Sequence, residues 1–391
     1  MNKDKDFLGT EPVGKLMFRL ALPTITAQLI NMLYNIIDRI YIGHIPGNGA
    51  LALTGVGVCM PLIMIISAFA ALVGGGGAPH ASIAMGKNDL NTAEHILGNC
   101  FFLQILISII LTVILLFGNR TFLLAFGASE NTIEYAVNYM NIYAVGTIFV
   151  QLTLGMNMFI TTQGFAKTGM LSVLIGAVMN IVLDPLFIFV LGFGVQGAAI
   201  ATVISQTLSA VFVLYFLTRK AELKVRFIRK IEISECAGYA KNIVSLGTAG
   251  FIMQLTNSLV TICCNNVLSV TGGDIYISVM TIVSSVRQLV ETPIYAMNEG
   301  TSPILSYNYG ARRPARVRKA MCVMSAMILG YTAVMWSVII LIPHVLIGIF
   351  SSDAVLIQDA VPALKQYFAA FIFMDLQYIG QTVFKSLNKK K

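Results

Sequence analysis

Ten apolar stretches run through this chain, and each is long enough to cross a membrane as a helix. The hydrocarbon layer of a bilayer is about 30 Å thick, which takes about 20 helical residues. Only 11% of the residues are charged, whereas a soluble domain carries about 25%. The runs are continuously apolar rather than alternating, which favours helices over the strands of a membrane barrel. The sequence therefore predicts an all-α polytopic membrane protein.

The basic residues predict how these spans are oriented. We place the spans at Leu16–Ile42, Ala50–Ala78, Ala93–Phe117, Thr132–Thr162, Thr168–Leu191, Val195–Thr218, Asn242–Val270, Tyr276–Gly300, Val317–Ile342 and Ala360–Ser386. With this placement nearly every lysine and arginine outside the spans falls on one side, and Arg120 alone falls on the other. Basic loops face the cytoplasm. We therefore expect a multi-pass protein of the cell inner (cytoplasmic) membrane with both termini cytoplasmic, whose net charge of +8 reflects topology and lipid contact, not nucleic acid.

Two parts of the chain resemble each other. Gln28-Leu29-Ile30-Asn31 recurs as Gln254-Leu255-Thr256-Asn257, and Pro79–Gly86 recurs as Pro303–Gly310. Both copies start from the cytoplasmic side, which predicts two parallel-repeat helical lobes, as in alternating-access transporters. We expect a six-helix lobe at residues 1–218, a basic linker at 219–241 and a second lobe at 242–391. The second lobe would then hold four helices of an expected six, giving ten of twelve spans.

Polar residues at one depth of the first lobe are the strongest functional signal. A charge at the centre of a membrane helix costs about 2.5 to 3.5 kcal/mol or more, so each one needs a reason. Asp38, Asp184 and Thr202 lie at similar distances from the outer ends of their spans, and Asn180 shares a helix face with Asp184. Pro185 predicts a kink beside them. Their oxygens could hold a proton or a small cation such as Na⁺; alternatively, Asp38 reaches the membrane boundary and Asp184 bonds to a neighbouring helix.

The second lobe has fewer candidates. Arg287 and Glu291 are four residues apart on one helix, a spacing at which opposite charges normally pair. Asp375 has no such partner and is a candidate substrate or ion residue, whereas we expect Glu299 to be a wet-surface residue near the cytoplasmic end of its span. The run Gly74-Gly75-Gly76-Gly77 lacks the Lys-Ser/Thr of a phosphate loop and favours close helix packing or a flexible break.

Catalytic and cofactor motifs are absent from this sequence. No nucleotide-binding loop, nucleophile elbow or zinc-binding helix occurs, and the four histidines are scattered, so we expect neither an enzyme nor a metal cofactor. Nineteen methionines and many aromatic residues offer adaptable apolar walls. The intramembrane acids outnumber the bases, which favours lipophilic cations as transported small molecules.

The chain resembles the multidrug and toxic compound extrusion (MATE) transporters, and most of all their Gram-positive multidrug-exporting branch. The resemblance rests on Asp38-x4-Gly43-His44, Asn180-x3-Asp184-Pro185, Gly197-Ala198-Ala199-Ile200-Ala201-Thr202 and Pro303-x3-Tyr307-Asn308-Tyr309-Gly310-Ala311. It implies two six-helix lobes forming a V. It also implies that Asp38, Asn180, Asp184 and Thr202 carry the coupling proton or sodium ion, and that Asp375 matches a second-lobe acid. Where some relatives carry a glutamate in the seventh span, this chain offers Gln254 and Asn257.

Three functions are compatible with this architecture. The sequence favours a monomeric, cation-coupled multidrug antiporter that works by alternating access, with drugs and the lipid bilayer as its partners. A flippase for lipid-linked saccharides would need a basic cavity for pyrophosphate, and the acids within the spans argue against it. A passive channel or receptor is disfavoured by the two-lobe repeat.

Overall fold

The computed structural model describes residues 7–225, 233–348 and 354–389 of the 391-residue chain, and in these ranges it contains helices and no strand. The helices are α1 (Phe7–Thr10), α2 (Val13–Gly43), α3 (Gly49–Gly86), α4 (Leu90–Ala125), α5 (Ile133–Thr162), α6 (Ala166–Pro185), α7 (Gly194–Tyr215), α8 (Ile233–Gly310), α9 (Pro314–Leu341), α10 (Pro343–Gly348), α11 (Ala354–Phe368) and α12 (Phe371–Ser386). π-helical turns at Leu186–Val190 and Phe216–Lys220 extend α6 and α7. The all-α prediction is confirmed.

Within the described ranges, seven helices are long and apolar enough to cross a membrane. They are α2 to α7, which correspond to the first six predicted spans, and α9, which corresponds to the ninth. Short turns join consecutive helices, and a polar side chain in such a turn can cap the start of the next helix. Asp89, for example, precedes α4, and its carboxylate accepts a hydrogen bond from the Thr92 N–H at 3.0 Å, which satisfies one of the free donors of the first turn.

Helix α8 contains both the seventh and the eighth predicted spans. A straight helix of its 78 residues would be about 117 Å long. Yet Gly247 packs against Leu72 of α3, and Tyr307, some 60 residues later, packs against Gly86 of the same helix. Leu72 and Gly86 are only about 21 Å apart along α3 at 1.5 Å per residue. The chain of α8 therefore folds back between its two ends, as two successive spans require.

The tenth predicted span is wrong as a single helix. Helix α11 ends at Phe368 and α12 begins at Phe371, so Ala369 and Ala370 break the predicted range Ala360–Ser386. The carbonyl of Phe368 accepts a hydrogen bond from the indole Nε1–H of Trp336 on α9 at 3.1 Å. This carbonyl is thereby satisfied from a neighbouring helix rather than by the next turn of its own.

Helices α3 and α8 cross each other at their glycines, and the crossing is reciprocal. A Cβ on Gly86 would lie 2.0 Å from the Tyr307 oxygen, and a Cβ on Gly310 would lie 2.1 Å from the Ile83 oxygen. Gly86 and Ile83 correspond to Gly310 and Tyr307 in the repeated segments, 224 positions later. When residue i contacts j on a partner and j contacts i, the contact follows a two-fold axis. The repeat in the sequence is thus expressed as a pseudo-two-fold contact.

The four consecutive glycines of α3 also face close neighbours. A Cβ on Gly74 would lie 2.7 Å from the Gly155 oxygen, one on Gly76 would lie 2.0 Å from the Ile243 oxygen, and one on Gly77 would lie 2.2 Å from the Cys100 sulfur. Three different helices therefore approach this part of α3. Of the two predicted roles of the run, close helix packing is confirmed, and the helix continues through it without a break.

The N-terminal residues tie the two halves of the bundle together at one end. We call this end, which carries Lys87, Lys167 and Arg312, the basic end. Here Arg313 donates to the carbonyl of Gly9 and Arg316 donates to the carbonyl of Glu11, each at 2.7 Å. Asn308 donates to the carbonyl of Leu8 at 3.0 Å. These hydrogen bonds hold the segment before α2 against the α8–α9 turn.

Replacing Gly86 with alanine should open the reciprocal crossing. The added methyl group would overlap the Tyr307 oxygen, and overpacking of this kind costs about 1–3 kcal/mol. We expect Gly86→Ala to lower the melting temperature of the detergent-purified protein. Gly57→Ala is the matched control, because Gly57 lies on the same helix and the methyl group added there would meet nothing within 4 Å. Equal melting temperatures for the two variants would contradict the crossing.

Candidate functional site

Helices α2, α6 and α7 meet at a buried polar cluster. The four residues predicted from the first lobe, Asp38, Asn180, Asp184 and Thr202, come together there. The Asn180 amide donates to Asp184 Oδ1 at 3.0 Å and to Thr202 Oγ1 at 3.4 Å. The carboxyl groups of Asp38 and Asp184 lie within hydrogen-bonding reach of each other. The agreement in depth that the sequence suggested thus corresponds to contact in three dimensions.

The oxygens of this cluster are poorly satisfied. Asp184 is fully buried at 0% exposure, and Asn180 and Asp38 are 2% and 9% exposed. Asp38 Oδ1, Asp184 Oδ2 and Asn180 Oδ1 are buried without a hydrogen-bond donor. Neither aspartate forms an ion pair with any residue in the described ranges. Buried polar atoms normally have partners, so three unsatisfied acceptors in one place indicate a site for a bound donor or cation.

Local backbone features bring Asp184 and Thr202 together. Pro185 removes a backbone N–H at the end of α6, and the chain continues as the π-helical turn Leu186–Val190. Helix α7 then starts close against this turn, because a Cβ on Gly197 would lie 2.6 Å from the Phe187 oxygen. Only glycine allows this approach. The predicted kink at Pro185 therefore takes the form of a change in helix type that positions the acid.

A small cavity of about 30 Å³ adjoins the cluster on the side of Asn180 and Thr202. Its polar lining includes Asn31, Tyr34, Thr153 and Ser205. A water molecule needs about 10–15 Å³ of such space and two or more polar partners. The cavity has room for about two waters beside the buried acceptors.

The tyrosines around the acids were not predicted from the sequence. The half-buried Tyr34 side chain lies near Asp38 and Asp184, and Tyr139 lies close to Thr202. Tyr34 is four residues before Asp38 on α2, so helical spacing was a signal that could have identified it. No such local signal exists for Tyr139, which comes from α5.

The second half of the chain holds separate polar groups. Arg287 Nε donates to Glu291 Oε1 at 2.8 Å, as the spacing predicts, and Arg287 Nη1 donates to the Tyr367 hydroxyl at 2.9 Å. Asp375 is fully buried and accepts a hydrogen bond from the Thr332 hydroxyl of α9, while its Oδ1 has no donor.

The remaining two candidates lie on α8. Gln254 is half-buried, and the side chain of Asn257 lies outside the described residues. The role of Gln254 and Asn257 in binding stays a prediction.

The first-half cluster offers only oxygen donors: two carboxyls, an amide and a hydroxyl. Oxygen ligands suit protons and hard cations rather than transition metals. Two carboxyl groups in hydrogen-bonding contact cannot both be ionised without strong repulsion, so binding one positive charge stabilises the pair. The arrangement can therefore take up and release a small cation.

Comparison with known proteins identifies the family. The family model described as MatE matches residues 23–186 and 249–391. This chain belongs to the MatE family. The MatE-family protein is 25% identical over 353 residues to the multidrug export protein MepA of Staphylococcus haemolyticus (strain JCSC1435), covering 90% of this chain and 77% of the relative. It is 24% identical over 375 residues to MepA of Staphylococcus aureus (strain NCTC 8325 / PS 47), covering 94% of this chain and 80% of the relative.

Solved structures share the fold of this MatE-family protein. An outward-facing multidrug resistance MATE transporter of the MOP superfamily superposes with a TM-score of 0.89 at 24% identity, covering all of this chain and 86% of that one. A MOP superfamily transporter from Pyrococcus furiosus Vc1 (DSM3638) superposes with a TM-score of 0.90 at 24% identity, again covering all of this chain and 86% of that one. The resemblance inferred from sequence is confirmed. The family consists of transporters. The prediction of a multi-pass membrane transporter rather than an enzyme is therefore confirmed as well.

Removing the hydroxyl of Thr332 should destabilise the MatE-family protein. Thr332→Val leaves the buried Asp375 carboxyl without its donor, which costs about 1–3 kcal/mol. We expect a lower melting temperature in detergent. Thr207→Val is the control, because the Thr207 hydroxyl donates only to the Val203 carbonyl of its own helix at 2.7 Å. A melting temperature for Thr332→Val as high as that of Thr207→Val would show that Asp375 does not depend on this bond.

Proposed function

We propose that this protein is a cation-coupled antiporter that exports lipophilic, mostly cationic drugs from the cytoplasm by alternating access. One observation carries the proposal: Asp38 and Asp184 are buried in contact with each other and form no ion pair in the described part of the chain. A membrane acid without a partner is costly, and such acids mark ion paths. Relatives named as multidrug export proteins support the cargo class.

The coupling follows from differential affinity. A cation bound at Asp38 and Asp184 links α2 to α6 and so stabilises one packing of α2. A drug bound between the two lobes, residues 1–218 and 242–391, stabilises the other packing. Each ligand shifts the same two-state equilibrium by the difference in its affinity for the two states. Uptake of one therefore drives release of the other.

The coupling ion is a proton or a sodium ion. Contact between the two carboxyl groups supports the proton, since a hydrogen bond between carboxyls needs one. The oxygen set of Asp38, Asn180, Asp184 and Thr202 is also chemically suited to Na⁺. Transport driven separately by a pH gradient and by a sodium gradient distinguishes the two ions.

Several further features belong to the proposal. The protein acts as a monomer in the cell inner membrane with its N-terminus in the cytoplasm, since the basic end carries most loop lysines and arginines. Its partners are small-molecule drugs and the lipid bilayer, and it needs no bound cofactor. A flippase for lipid-linked saccharides would need a basic cavity, whereas the buried first-half cluster is acidic.

Neutralising either acid should abolish coupled export. We expect Asp38→Asn and Asp184→Asn each to reduce efflux of a fluorescent cation from proteoliposomes at least about tenfold. The remaining carboxyl group alone cannot replace the two-carboxyl binding site, and a tenfold effect corresponds to about 1.4 kcal/mol. The protein should still purify as a folded species. The control is Asp89→Asn, which keeps a good helix cap on an exposed residue. Wild-type efflux by either of the first two variants would remove this site from the mechanism.

A further inference from the structure

Glu299 lies on the inner edge of α8, at the position that corresponds to Gly75 of α3. The repeated segments are related by 224 positions, which pairs Glu299 with Gly75. The next residue, Gly300, packs against α2, since a Cβ there would lie 2.9 Å from the Ala21 Cα. Glu299 is thus next in sequence to a residue that packs against the first half of the bundle. The Glu299 side chain is exposed, which agrees with the expectation of a wet-surface residue.

The same face of α8 meets α12 on either side of Glu299. One turn before it, the Tyr295 hydroxyl donates to the Tyr378 hydroxyl at 2.8 Å, with ring centroids 4.9 Å apart. One turn after it, the Ser302 and Ser386 hydroxyls lie 2.7 Å apart. Side chains three and four residues apart share a helix face. The Glu299 carboxylate therefore projects into the space bounded by α12 and α3.

Lys385 reaches into this space from α12. Its Nζ lies 2.8 Å from the place where a Cβ on Gly75 would stand, so the ammonium group occupies room that only glycine leaves on α3. The charged group that lies close enough to interact electrostatically with Lys385 is Glu299. The two attract each other but form no direct ion pair. An exposed carboxylate thus lies near an ammonium group on a long side chain.

We propose that Glu299 is a docking point for the charged group of a monovalent organic cation, and that Lys385 is a tethered competitor for the same carboxylate. This inference rests on the proposed function, because it assigns a contact for the cationic cargo. When a drug cation approaches, the lysine side chain swings away, and when the drug leaves, the lysine returns. The Tyr295–Tyr378 pair offers an aromatic surface one turn away, which suits the apolar body of such a ligand.

The experiment measures equilibrium binding of a fluorescent lipophilic monocation to the purified full chain in nanodiscs. We expect Glu299→Gln to weaken binding about fivefold and Lys385→Met to tighten it about fivefold, the range of a partly exposed charge pair. Lys385→Arg is the control and should bind as wild type does, because it keeps the competing charge. In the double variant Glu299→Gln/Lys385→Met, the gain from Lys385→Met should disappear.

The outcomes separate this inference from the proposed function. If Glu299→Gln binds as tightly as wild type, or Lys385→Met binds no more tightly, the docking point is refuted while the cationic cargo stands. A merely structural role for Lys385 would weaken binding in Lys385→Met and would not depend on Glu299. If wild-type protein binds a neutral dye of similar size as well as the cation, the cargo class itself fails.

Discussion

The reciprocal contact between α3 and α8 is the constraint on which the rest of the structure depends. Gly86 and Gly310 remove the side chains that would hold the two helices apart, so backbone meets backbone at the basic end. Arg313 and Arg316 add hydrogen bonds to the segment before α2 at the same end. The two halves are thereby joined closely at one end, and the proposed exchange of access between the two sides of the membrane requires this contact to open.

The buried acids lie away from that contact, on the helices that the contact holds in place. Helix α2 carries Asp38 and packs against α6, which carries Asp184, while Gly300 of α8 packs against Ala21 lower on α2. A change in the charge of the acid pair therefore acts on a helix that touches both halves. This gives a contiguous physical route between the proposed cation site and the crossing, and in the proposed mechanism a two-state packing of α2 is the element that both bias.

The sequence predicted the features that depend on local pattern. Apolar run length located the spans, and the depths of Asp38, Asp184 and Thr202 anticipated their contact. Features that depend on distant partners could not be read in this way. At the break after Phe368, the carbonyl of Phe368 accepts a hydrogen bond from Trp336 on another helix. The surroundings of Glu299 follow from the repeat register together with the path of α12, which no single segment reveals.

The most direct test is to measure distances across both ends of the bundle in one sample by spin labelling. In a cysteine-free background, one label pair at positions Lys87 and Arg312 reports on the basic end, and a second pair at Ser129 and His344 reports on the opposite end. We expect that loading the acids with the coupling ion and adding the drug change the two distances in opposite directions. If both distances stay fixed, or lengthen together, exchange of a bound cation for cargo about the α3–α8 contact is contradicted.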